Sequence, residues 1–129
     1  MLAKIILTTA TFLILDGLWL GVIAKNFYRQ SFSSFPRLFE NMYYGAFAYV
    51  LLVLAIVLFV LPKAGENIGQ AALYGAILGL VVYGVYDFTN LAVFGSYPLK
   101  VALVDVVWGI FVMGATSVIV VYIYNLLIK

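Results

Sequence analysis

The chain has no cysteine and no histidine. That removes the thiolate and imidazole ligands of the usual zinc, haem and iron–sulfur centres, and it leaves the redox compartment unspecified. Charge is scarce as well: Asp, Glu, Lys and Arg make up 9% of the 129 residues, against about a quarter in an ordinary soluble domain. The net charge of +2 comes from seven basic residues set against five acids, scattered without a basic run, so nucleic acid is not an expected partner. No metal site and no cofactor is expected.

What fills the space is apolar. The sequence is 67% hydrophobic with a mean hydropathy of +1.18, which predicts an integral membrane protein. The expected fold is all-α, a bundle of four transmembrane helices forming one membrane domain over residues 1–129, because four crossings of roughly 20 residues use most of the chain. The helices are expected at about 2–24, 39–61, 67–94 and 99–128. The expected setting is the cell membrane, multi-pass, with the lipid bilayer as partner. Lys4 followed by an apolar run has the outline of a secretory leader, but Asp16 interrupts that run and large residues crowd its end, so a retained first helix is expected.

Local signals mark the boundaries. Pro62, Lys63 and Gly65 are expected to end the second helix, Asn67 to cap the third, and Gly95-Ser96-Tyr97-Pro98 to turn the chain into the fourth. Between the first two helices, Tyr28, Phe32, Phe35 and Phe39 recur at i, i+4, i+7 and i+11. This stripe suits a segment over 25–38 lying in the interface with its aromatic edge toward lipid. On the third helix Gly75 and Gly79 form a GxxxG pair, a packing signal that leaves open whether it joins helices of one chain or of a homo-oligomer. Basic residues divide three to four, with Lys4, Lys63 and Lys129 on the side of the termini and Lys25, Arg29, Arg37 and Lys100 opposite. That leans toward both termini facing out by a single residue, a bias that a dual-topology protein would also show.

Three aspartates interrupt the apolar stretches. An ionised carboxylate at mid-bilayer costs about 2.5 to 3.5 kcal/mol, so each needs a partner or a purpose. Asp16 stands nine residues before Lys25, roughly 13 Å from that end of the helix; Asp87 and Asp105 each stand seven residues from the third turn, roughly 10 Å deep. Alternating passage places all three in one half of the membrane. Each has neighbours at helical spacing: Trp19 follows Asp16 at i+3, Trp108 follows Asp105 at i+3, and Tyr83, Asp87 and Asn90 share a stripe, with Tyr86 and Thr89 adding hydroxyls. Indole N–H and phenol O–H groups can satisfy a carboxylate without adding charge. An aspartate kept from water beside another is expected to hold a proton at pH 7.

The same residues carry a family resemblance. Leu15-Asp16-Gly17-Leu18-Trp19-Leu20, Phe27-Tyr28, the run from Tyr83 to Ala92, Tyr97-Pro98 and Asp105-Val106-Val107-Trp108-Gly109 resemble the small bacterial membrane proteins grouped as domain of unknown function 2177. Val85 and Phe88 stand where that family more often has threonine and leucine. The resemblance implies a four-helix membrane protein and supplies no activity.

Three readings follow. In the first, Asp16, Asp87, Asn90 and Asp105 bind a small cation, proton or polar solute and move or sense it, with the tryptophans and tyrosines orienting the acids. In the second, an aspartic acid serves a membrane-embedded enzyme on a lipid or isoprenoid substrate; no catalytic residue is assigned. In the third, the acids only clamp the helices together and the chain is an accessory or scaffold subunit.

Overall fold

The structure, a computed structural model, describes residues 1–35 and 41–128. Four helices are long and apolar enough to cross a membrane: Leu2–Ile23, Met42–Ala64, Ile68–Val93 and Leu99–Ile128. No strand occurs among the described residues. The first span consists of α1 (Leu2–Leu18) and a π-helical turn, Trp19–Ile23, and is followed by a short helix, α2 (Lys25–Ser31). The second consists of α3 (Met42–Ala55), a π-helical turn at Ile56–Val60 and α4 (Leu61–Ala64); the third and fourth are α5 (Ile68–Val93) and α6 (Leu99–Ile128). The expected start at Phe39 lies outside the described residues.

The boundary signals act as expected with one exception. Asn67 caps α5, its side-chain oxygen accepting from the Gln70 N–H at 2.9 Å, and Phe94 to Pro98 turn the chain into α6. Pro62 does not end the second span, which runs on to Ala64 and stops at Gly65, whose φ of +56° is open to glycine. Proline inside a helix loses an N–H and crowds the preceding turn. Here the turn before it, Ile56–Val60, is wound as a π-helix, with the Leu61 N–H donating to the Ile56 carbonyl. That wider loop makes room for the ring.

The closest helix pair is α5 with α6, and the GxxxG signal explains why. A methyl group on Gly75 would stand 2.6 Å from the Met113 carbonyl and 2.9 Å from the Gly114 Cα, and one on Gly79 would collide with the Gly109 carbonyl. The pair is spent within the chain. Around this seam Phe12, Ile56, Val112, Met113 and Val120 are fully buried, while Ile14, Phe47, Phe59 and Val107 are exposed. Exposure of large apolar side chains around a tight interior is the pattern expected of helices whose outer faces meet acyl chains.

Candidate functional site

The aspartates do meet, through partners that helical spacing alone does not identify. Asp16, on α1, is buried. Its Oδ1 accepts from the Trp108 indole of α6 at 2.8 Å, and its Oδ2 accepts from the Tyr49 phenol of α3. Asp105, on α6, accepts from the Tyr28 phenol of α2 at 2.9 Å, and that phenol accepts in turn from the Trp19 indole at 3.3 Å. Asp87, on α5, has no exposed surface and accepts from the Tyr97 phenol at 2.7 Å. The Asp87 and Asp105 carboxyls lie within hydrogen-bonding reach of each other.

The i, i+3 pairing is therefore exchanged between helices. Trp19 does not serve Asp16, and Trp108 does not serve Asp105. A short carboxyl stays close to its own helix whereas an indole carries its N–H outward to the neighbouring one. The two tryptophans stack face to face, centroids 4.4 Å apart and planes 6° from parallel, which couples the Asp16 group to the Asp105 group.

Tyr83 also departs from its expected role. It makes no hydrogen bond to Asp87 among the described residues; instead its side chain packs directly against Gly109, where a Cβ would overlap it. That is the physical need for glycine directly after Trp108. Asn90 reaches the Tyr97 phenol, so it acts on Asp87 at one remove. Tyr86 and Thr89 are exposed and outside the network.

The aromatic segment between the first two spans faces protein rather than lipid. Tyr28 is buried, edge-on to Trp19 and stacked with Phe32, which in turn packs on Tyr97. Phe39, Pro36 and Arg37 lie outside the described residues. Burial holds the Tyr28 phenol well above the ordinary range, with the Asp105 charge adding to the effect. Tyr97 is held up by burial and then by its bond to Asp87. Both remain donors far into alkaline pH.

Tyr28, Tyr49 and Tyr97 are the partners that spacing did not single out. Tyr28 and Tyr97 lay within the fragments that carry the family resemblance, so a signal for them was present. Tyr49 had none, being one of ten tyrosines in a helix with no marked face.

Of the cavities that adjoin the network, two bear on Asp105 or on the phenol bonded to it. A cleft of about 640 Å³ lies between the second and third spans, lined by Gly45, Ala48 and Leu52 on one and Val82 and Tyr86 on the other, and Asp16 and Asp105 line it with Tyr49 and Tyr83. A more polar pocket of about 570 Å³ is formed by the start of α2, with Lys25, Arg29 and Ser33 around Tyr28. Tyr28 thus stands between that pocket and Asp105. Among the described residues no group of three His, Cys, Asp or Glu side chains is placed to hold a metal ion.

Neither the curated proteins nor the solved structures contain a match to this chain. The sequence model of one family matches residues 1–122, which take in the whole aspartate network. The chain therefore belongs to the family described as "Predicted membrane protein (DUF2177)".

Proposed function

We propose that this membrane protein holds and exchanges a proton at the Asp87–Asp105 carboxyl pair, with Asp16 completing the site. The observation that carries the reading is the Oδ2 atom of Asp87, fully buried and without a donor among the described residues, beside a second carboxyl within hydrogen-bonding reach. Two ionised carboxylates are both acceptors and cannot bond to each other; one proton between them supplies the missing donor. A buried polar atom left without a partner costs about 1–3 kcal/mol, so the proton-holding state is the one in which the cluster is satisfied.

The surroundings suit that role better than a metal cation. Asp16 spends both oxygens on Tyr49 and Trp108, and each phenol or indole donor is neutral. Such donors orient the acids without supplying a charge that would drive the proton off. Tyr28 gives the pair a contact with the pocket lined by Lys25, Arg29 and Ser33, which supports proton access from the membrane surface.

A rapid jump of purified protein to alkaline pH in a weakly buffered medium, followed with a pH-sensitive dye, tests the reading. The wild type releases about one proton per chain more than Asp87→Asn or Asp105→Asn, because each substitution removes one member of the shared pair. Equal release from all three proteins rejects it.

A further inference from the structure

We infer that the cleft between the second and third spans binds a lipophilic organic cation, its apolar groups against the walls and its positive charge beside Asp16 and Asp105. This names a ligand class for the proton-holding site and rests on that reading only in the count of charges there.

The sign of the charge follows from the carboxyls and from what surrounds them. Asp16 and Asp105 line the cleft, and no Lys or Arg does. Both oxygens of Asp16 accept from neutral donors, the Tyr49 phenol and the Trp108 indole, which is the pattern of an ionised carboxylate. Within hydrogen-bonding reach of Asp105 stands the Asp87 carboxyl, whose Oδ2 is buried without a donor among the described residues. One proton shared by that pair still leaves it negative, and Asp16 adds to it. The basic side chains of this half of the bundle are engaged elsewhere: Lys25 and Arg29 line the pocket around Tyr28, and Lys100 lies over the Phe27 ring, 5.9 Å from its centroid. Such a site attracts a cation and repels a phosphate or carboxylate headgroup, and a hydroxyl gains nothing from its charge.

The apolar body follows from the walls. Apart from the two acids and three tyrosines, every lining residue is Gly, Ala, Val or Leu. Leu51, near the middle of the second span, and Tyr86 on the third are exposed, so the cleft meets acyl chains. The rings of Tyr49, Tyr83 and Tyr86 add faces that attract positive charge. A metal ion needs about six oxygen ligands, and both oxygens of Asp16 are already engaged; a diffuse organic charge needs only the field. The volume of ~640 Å³ lies within the roughly 300–1,000 Å³ of ordinary ligand sites. The adjacent cleft of about 480 Å³ between the first and second spans is also largely apolar and has no carboxyl. Charge, not shape, singles out the one at Asp105.

Equilibrium binding of tetraphenylphosphonium and tetraphenylborate to the purified full chain in a neutral detergent, corrected for uptake by empty micelles, tests this. The two ions share shape and apolar surface and differ in the sign of their charge. The cation is expected to bind about tenfold or more tighter than the anion, and about tenfold more weakly in Asp105→Asn than in the wild type. Its binding is lost in Ala48→Phe, which fills the cleft, and unchanged in Ala46→Phe, which enters the neighbouring one. The comparison of the two ions on the wild type stands even if a variant misfolds. Equal binding of both ions, preference for the borate, no binding, undiminished binding in Asp105→Asn, or loss in Ala46→Phe but not in Ala48→Phe overturns the inference. Because binding is read directly, cation binding without proton release would sink the proton reading alone, and proton release without cation binding would sink this inference alone.

Discussion

Trp108 and Trp19 have the same sequence relation to an aspartate and different work in the fold. Trp108 supplies one of the two donors of the buried Asp16 carboxyl, whereas Trp19 donates to a phenol at the longer distance of 3.3 Å. Trp108→Phe is therefore expected to cost about 1–3 kcal/mol and Trp19→Phe less, in denaturant unfolding of the detergent-solubilised protein. A double-mutant cycle sharpens the point. Asp16 and Trp108 should couple by about 0.5–3 kcal/mol, and Asp105 with Trp108 by close to nothing; the reverse would restore the i, i+3 pairing. The phenols make a second residue-scale prediction. Burial holds Tyr28 and Tyr97 up, so in an ultraviolet titration of the ten tyrosines these two ionise after the ordinary transition near pH 10, and Tyr28→Phe or Tyr97→Phe removes part of that late fraction. The sign for stability follows: a phenol with a raised folded value contributes fully below about pH 10, and the contribution is lost as pH climbs toward the folded value.

Among the elements, the α5–α6 seam and α2 behave differently from a reading of sequence alone. Gly75 and Gly79 announced close packing, and the spacing could not say against what, because a GxxxG surface suits any helix with small residues opposite it. The answer lies with Gly109 and Gly114 on α6, residues whose significance depends on the partner. Gly79→Ala places a methyl group against the Gly109 carbonyl and is expected to destabilise by about 1–3 kcal/mol, with Gly84→Ala, where a methyl group meets open space, as a nearly neutral control. The segment Lys25–Ser31 presents a clearer limit. Its aromatic periodicity was legible, but an apolar stripe is the same whether it meets lipid or protein, and only the bond from Tyr28 to Asp105 decides. Tyr28→Phe should loosen α2 and speed tryptic cleavage after Lys25 and Arg29; unchanged cleavage would mean that ring packing alone holds the helix.

At the scale of the molecule, four apolar spans, their order and the closeness of the α5–α6 turn were legible because lipid imposes one arithmetic on length and hydropathy. The gathering of aspartates toward one end followed from the alternation of spans. Which donor serves which acid did not, since that depends on helix rotation, and rotation is decided by contacts such as Tyr83 on Gly109. The resulting network runs from Tyr49 through Asp16, Trp108, Trp19, Tyr28 and Asp105 to Asp87 and Tyr97, touching all four spans. It makes the Asp87–Asp105 pair a property of the whole bundle. Infrared spectroscopy of the reconstituted protein at neutral pH reads that pair most directly: one carboxylic-acid C=O band, shifted in heavy water, should be present in the wild type, retained in Asp16→Asn and absent from both Asp87→Asn and Asp105→Asn. A wild type with no such band, or a band that survives in both of the latter variants, would contradict a proton held between the two acids.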